Sequence, residues 1–226
     1  MGSEVPRSTL ETFMPTAVRR ITGLLAAAVT SLALLPAFAA PAQAAPPPPP
    51  SLSEARSQLG SLTVESESGS GYDRDLFPHW STVEGSCNTR EWVLRRDGDN
   101  VQVGSDCYPT SGSWYSVYDG VTTSVPSEIS IDHFVPLAEA WRSGANSWST
   151  SRREQFANDL DSPQLWAVTG SSNSSKGDRD PAEWLPTRTS IHCDYAKSWI
   201  NVKYVWELSV DSAEQAALED LLDSAC

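Results

Sequence analysis

The chain has 226 residues, a formal net charge of −13 and a charged fraction of 20%. This acidic balance argues against tight nonspecific nucleic-acid binding, which depends on neutralisation of phosphates by lysine and arginine. After the first 45 residues no apolar stretch is long enough to span a membrane, which argues against a multi-span membrane protein.

Residues 1–44 are predicted to be a secretory signal peptide with an upstream extension. Arg19 and Arg20 precede the apolar residues 21–40, and Ala42-Gln43-Ala44 forms an A-x-A cleavage site. Five prolines follow, and residues 45–71 are predicted to be a Pro- and Ser-rich linker and lead-in. We therefore expect a secreted, extracellular, monomeric protein with one domain over residues 72–226 and no membrane attachment after signal cleavage.

The domain predicts an α+β fold, with short strands and hairpins first and packing helices last. The run EWVLRR, residues 91–96, is interpreted as a strand that turns at Asp97-Gly98 into a second strand at 101–103. Residues 112–123 predict another hairpin. Residues 164–168 form a short apolar strand candidate. Helical spacing predicts helices over residues 52–62, 136–143, 149–160, 193–206 and 212–225.

The four cysteines are Cys87, Cys107, Cys193 and Cys226. An even number of cysteines in an exported chain predicts two disulfides, with three possible pairings. We favour Cys87–Cys107 and Cys193–Cys226, because each of these pairings closes a local loop. A zinc–thiolate site is disfavoured because no C-x-x-C pair is present.

The most informative residues for chemistry are Asp132 and His133, followed forty positions later by Asn173 and then by Lys176. A neutral imidazole is a suitable general base near neutral pH. Carboxylate and amide oxygens are ligands that Mg²⁺ and Mn²⁺ prefer. Metal-assisted hydrolysis of a phosphodiester needs both a base and a cation. Alone, Asp-His could equally be a turn cap, and Asn173 a loop residue or helix cap.

The motifs IDHFVPL, FANDL, LWAV and NSSKGD resemble the HNH (ββα-metal) nuclease motif. The whole stretch from about residue 72 to the end, including YDRDLFPHW and CNTREWVLRR, resembles secreted actinobacterial HNH-family proteins related to the C-terminal domain of GmrSD-type restriction enzymes. The resemblance implies a β-hairpin followed by a helix, clasping one divalent ion. The gap between the two motif halves implies a helical insertion between the hairpin strands.

By this resemblance, Asp132 and Asn173 would be the metal ligands and His133 would activate water. Asn158 would match the middle asparagine, which orients the catalytic loop or the histidine. The asparagine at the last motif position favours Mg²⁺ or Mn²⁺ over Zn²⁺. The expected substrate is DNA, with RNA as a second candidate.

Basic residues are the candidates for phosphate contacts. Lys176 is predicted to contact the scissile phosphate or to stabilise charge in the transition state. The arginines that are candidates for binding the phosphate backbone are Arg90, Arg152 and Arg179, together with Arg153 and Arg188. Each is, taken alone, as readily explained as a solvated surface residue.

A second hypothesis of a different class is an exported binding module that keeps the same fold without activity. The acidic surface and the nine tryptophans would suit contacts with protein or glycan. The set of Asp132, His133 and Asn173 favours the enzyme, because all three chemical types needed for catalysis are present.

Overall fold

The computed structural model describes residues 45–226, and the predicted signal peptide lies outside the described residues. The described chain is a mixed α/β structure with seven α-helices, three small antiparallel sheets and two disulfides. No helix among these residues is long and apolar enough to cross a membrane. The disulfides join Cys87 to Cys107 and Cys193 to Cys226, which confirms the predicted pairing.

The strands form three separate sheets. Strands β1 (Thr82–Glu84) and β2 (Cys87–Asn88) make a short hairpin. Strand β4 (Pro109–Tyr115) lies between β3 (Gly98–Val103) and β5 (Thr122–Thr123), which confirms the predicted hairpin at 112–123. Strand β6 (Ile129–His133) pairs with β7 (Leu165–Thr169).

Five helices lie close to where helical spacing predicted them, and a sixth lies in a segment where spacing predicted no helix. Their bounds are α1 (Leu52–Leu59), α3 (Leu137–Arg142), α4 (Thr150–Ala157), α5 (Gly170–Lys176), α6 (His192–Val205) and α7 (Ser212–Ser224). Of these, α5 falls in the polar segment after the apolar strand. It begins at the N-cap Thr169 and ends at Gly177, whose φ of +63° favours glycine.

The prediction of a strand over residues 91–96 was wrong, because this segment lies in helix α2 (Thr89–Asp97). Asn88 caps the helix, and Glu91 returns a side-chain hydrogen bond to the Asn88 backbone, which completes a capping box. Val93 and Leu94 are fully buried. A short apolar run does not distinguish helix from strand by its periodicity, so the cap decides the conformation.

The main hydrophobic core lies between α1, α3, α6 and α7 and contains the aromatic residues Phe134, Tyr195 and Trp199. Helix α1 lies in the segment predicted as a lead-in, yet it contributes Ala55 and Leu59 to this core. A second core cluster packs α2 against β4, β6 and β7. Strand β6 contributes Ile129 and Ile131 to the second cluster, and Phe134, which directly follows it, belongs to the main core.

A buried charge cluster lies inside the main core, around Lys203 on α6. Its ammonium donates to Glu139 Oε1 at 2.6 Å, to Ser143 Oγ at 2.7 Å and to Glu214 Oε2 at 3.1 Å. Burial opposes the charge on Lys203, but Glu214 and Glu139 outweigh it and raise the pKa of the ammonium. This ammonium joins α6 to α3 and to α7.

We expect Lys203→Met to lower the free energy of unfolding by about 3–5 kcal/mol, because it leaves two buried carboxylates without their cation. Urea denaturation followed by circular dichroism measures this change. The matched control is Lys197→Met, which removes an i,i+3 pair with Asp194 and should cost less than about 1 kcal/mol. Equal effects of the two substitutions would contradict this role for Lys203.

Candidate functional site

The end of strand β6 opens into a cleft of about 350 Å³. Antiparallel pairing sets Asp132 opposite Trp166 and His133 opposite Leu165. Helix α5 directly follows β7 and packs on both strands, which brings Asn173 to the same cleft. The remaining lining residues are Tyr72, Arg74, Ile131, Pro136, Leu137, Ala138, Gly177 and Asp178.

His133 is a buried imidazole with one nitrogen committed to the protein. Its Nε2 lies 2.9 Å from the carbonyl oxygen of Ala157, so Nε2 must carry the proton in this contact. Nδ1 then has a free lone pair, and no hydrogen bond within residues 45–226 involves it. Burial, together with the charge of Arg74, lowers the pKa of His133 to about 3. The imidazole is therefore neutral and keeps the lone pair on Nδ1.

Trp80 packs against this imidazole, with 5.4 Å between the two ring centroids. Its φ of +62° lies in the left-handed region, which is a strained conformation for a bulky residue. The indole also packs against the second core cluster. The hydrogen bond to the Ala157 carbonyl and the packing of Trp80 together fix the position of the His133 ring.

Asp132 is buried at the inner side of the cleft and is paired with Lys176. The Lys176 ammonium lies 2.9 and 2.8 Å from the two carboxylate oxygens and also donates to the His133 carbonyl at 2.9 Å. The hydroxyl of Tyr118 donates to Asp132 Oδ2 at 2.6 Å. Burial raises the pKa of Tyr118 well above its usual range, and Asp132 raises it further, so the phenol keeps its proton.

The structure places Lys176, predicted to contact the scissile phosphate or to stabilise transition-state charge, inside the protein beside Asp132. Its side chain is fully buried and its pKa is lowered by burial, against the opposing effect of Asp132. Three hydrogen bonds direct its ammonium at Asp132 and at the backbone of His133. Lys176 is a positioning residue that ties α5 to the end of β6.

Asn158 lies at the C-terminal end of α4, next to the residue that binds His133. Its side-chain oxygen accepts from the Ser81 amide at 2.9 Å and from the Thr89 hydroxyl at 2.7 Å. Its amide group donates to the carbonyls of Pro78 and Glu154. Asn158 therefore anchors the segment that carries Trp80.

The predicted phosphate-binding arginines do not line the cleft, because each has a partner elsewhere. Arg90 donates to the Ile129 carbonyl, and Arg152 pairs with Glu207. Arg179 donates from Nε to the Lys176 carbonyl. Arg153 binds backbone carbonyls, and Arg188 lies over the ring of Tyr115. The cleft instead contains Arg74, which sequence reasoning missed, although its segment YDRDLFPHW was part of the resemblance.

The donor types in the cleft suit a hard divalent ion. Asp132 Oδ1 accepts a single hydrogen bond, so it keeps a lone pair, and the Asn173 side chain makes no hydrogen bond within residues 45–226. The chemistry of these oxygens therefore fits Mg²⁺ or Mn²⁺, with the Lys176 charge weakening the attraction. All four cysteines are in disulfides, so no thiolate is left for Zn²⁺.

Comparison with known proteins gives the family. Residues 98–221, more than half of the chain, match the family described as GmrSD restriction endonucleases, C-terminal domain. The chain belongs to this family, which indicates nuclease chemistry. It is also 54% identical over 180 residues to a protein of Arthroderma benhamiae (strain ATCC MYA-4681 / CBS 112371) named "Uncharacterized secreted protein", covering 79% of this chain and 88% of that relative. No solved structure matches.

We expect Asn158→Ala to lower the free energy of unfolding by about 2–4 kcal/mol, because four hydrogen bonds of roughly 1 kcal/mol each are lost. Thermal and urea denaturation measure the change. Asn146→Ala is the matched control, since that exposed amide makes a single hydrogen bond to the Ser68 carbonyl. If Asn158→Ala were no more destabilising than the control, Asn158 would not anchor the segment.

We expect Lys176→Met to destabilise the protein by about 3–5 kcal/mol, because it leaves the Asp132 carboxylate buried without a cation. The variant that carries both Lys176→Met and Asp132→Asn should recover part of this loss, since the isolated charge is then removed as well. A double-mutant cycle by urea denaturation measures the coupling. Additive effects would show that the two side chains act independently.

Proposed function

We propose that this protein is a secreted, divalent-metal-dependent endonuclease with a ββα-metal (HNH) core, which hydrolyses phosphodiester bonds of DNA, with RNA as the second candidate substrate. One observation carries the proposal: His133 has its Nε2 bound to a backbone carbonyl and its Nδ1 free, in the cleft that also holds Asp132 and Asn173. Membership of a restriction endonuclease family supports the reaction class.

The topology around the cleft supports the ββα-metal assignment. Two antiparallel strands, β6 and β7, are followed directly by α5. Asp132 and His133 end the first strand, and Asn173 lies on the helix, as the resemblance implies. Helices α3 and α4 lie between the two strands, which matches the helical insertion expected from the spacing.

In this mechanism, His133 Nδ1 removes a proton from a water molecule, whose oxygen then attacks the phosphorus. The bond from phosphorus to the 3′ oxygen breaks, which leaves a 5′ phosphate. The low pKa keeps the imidazole neutral before substrate binds. A bound phosphate then places negative charge beside the ring and raises its pKa, because a nearby opposite charge favours the protonated form. The Ala157 carbonyl stabilises the resulting imidazolium.

Asp132 and Asn173 would hold the divalent ion, which when bound neutralises charge on the phosphate. Lys176 keeps the Asp132 carboxylate in one orientation through contacts to both of its oxygens. Trp80 keeps bulk water from one face of the imidazole. The protein residues thus position the base and the two oxygen ligands, and they exclude water from the inner side of the site.

Secretion is the second part of the proposal. The N-terminal sequence has the features of a signal peptide, and the Arthroderma relative is by name a secreted protein. Both disulfides suit an oxidising compartment. The enzyme would then act on nucleic acid outside the cell.

The test is a plasmid-nicking assay on the purified protein with Mg²⁺, Mn²⁺, Zn²⁺ or EDTA, beside His133→Ala. We expect cutting with Mg²⁺ or Mn²⁺, none with EDTA, and a loss of at least about 100-fold in His133→Ala, because general-base catalysis contributes about that much or more. Circular dichroism establishes that the variant is folded.

His192→Ala is the matched control, because its imidazole binds the Pro186 carbonyl outside the cleft. It should cut at the wild-type rate. Cutting that persists in folded His133→Ala would show that the base is misassigned. Absence of cutting on DNA and RNA with every ion would favour the inactive binding module.

A further inference from the structure

Lys176 and the arginines predicted to contact the substrate do not line the cleft around His133. No residue described so far is therefore assigned to bind the substrate phosphate. The chain is strongly acidic, with a net charge of −13. A polyanionic substrate approaches such a protein only where positive charge is concentrated locally. Beside the divalent ion, a cationic side chain in the cleft around His133 that is not held in an ion pair would favour this approach.

The charges lining the cleft show where this positive charge lies. Of the two carboxylates in the lining, Asp132 pairs with Lys176, and Asp178 pairs with Arg142, which it shares with Glu67 and Glu139. Arg74 takes part in none of the ion pairs found among residues 45–226. It therefore brings to the cleft a positive charge that is not held in an ion pair with a lining carboxylate.

The position of Arg74 is held by local structure. It begins a short 3-10 helix, Arg74–Leu76, whose N-cap is Asp73. The Asp73 side chain accepts from the Asp75 amide at 2.9 Å, so this neighbouring carboxylate is engaged with backbone. The helix ends at Phe77, which is fully buried in the main core. The exposed guanidinium is thus attached to a segment that the core holds in place.

We infer that Arg74 binds the phosphate of the substrate and holds it in front of His133. The inference rests on the proposed function and names the residue that supplies its substrate contact. A guanidinium suits this role, because its planar set of donors binds two non-bridging phosphate oxygens at once. Arg74 lines the same cleft as His133, Asp132 and Asn173, so a phosphate bound by Arg74 would enter the cleft that holds the base and the metal ligands.

The experiment measures binding separately from cutting. Anisotropy of a labelled DNA duplex is titrated with His133→Ala protein, alone and combined with Arg74→Ala, Arg74→Lys or Arg56→Ala, at several salt concentrations. We expect Arg74→Ala to weaken binding about 10- to 100-fold, as loss of a charged hydrogen-bonded contact does. The slope of log K against log salt should fall by about 1.

The two other variants separate charge from geometry. Arg74→Lys should keep most of the salt slope but bind more weakly than arginine, because an ammonium is a point charge without the planar fork. Arg56→Ala removes the same formal charge from a residue bonded to Asp223, which does not line the cleft. It should change affinity less than about 2-fold. Equal effects of Arg74→Ala and Arg56→Ala would overturn the inference.

The nicking assay distinguishes a failure of the role of Arg74 from a failure of the proposed nuclease function. In the otherwise wild-type chain, Arg74→Ala should raise the KM for DNA more than it lowers kcat, since the contact is made before the chemical step. If the wild-type protein cuts and Arg74→Ala cuts with the same KM, the role of Arg74 is wrong and the nuclease stands. If the wild-type protein does not cut, the proposed nuclease itself is wrong.

Discussion

The ion pair between Lys176 and Asp132 is the interaction on which the site depends. It joins helix α5 to the end of strand β6 at a point where neither side chain reaches bulk water. A charge buried in this way is stable only with a partner and with its remaining hydrogen bonds satisfied. Tyr118 and the His133 carbonyl complete that set. The same ammonium thus fixes the carboxylate and the backbone of the histidine, so the strand and the helix keep one relative position.

A second buried ammonium, Lys203, acts in a similar way in the main core, where it joins three helices through Glu139 and Glu214. Burial raises the pKa of Glu214 to about 7, whereas the charge of Lys203 overcomes burial at Glu139 and lowers its pKa to about 2. The two carboxylates therefore share one cation unequally. Both buried lysines join neighbouring elements through hydrogen bonds, which have preferred directions. Such contacts restrict the angle between two elements more than apolar packing does.

The acidic surface and the proposed nucleic-acid substrate are compatible if positive charge is concentrated at the cleft. Most arginines of the domain have a carboxylate or a carbonyl partner, which makes them part of the scaffold. An enzyme of this kind would hold DNA at one phosphate and would not bind along an extended basic face. Weak binding away from the cleft favours release of the product.

The sequence by itself predicted two disulfides with a favoured pairing and the positions of most helices, because these follow from residue type, spacing and apolar periodicity. The apolar periodicity of α2 did not distinguish helix from strand, although Asn88 followed three residues later by Glu91 is a capping-box signal that the sequence already contains. The sequence also did not show which side chains surround each cation. Whether a lysine or an arginine meets solvent or a buried carboxylate depends on which elements pack around it. Lys176 was therefore predicted to touch the substrate, whereas tertiary packing buries it against Asp132, and packing likewise brought Arg74 to the cleft from about 60 residues away in the chain.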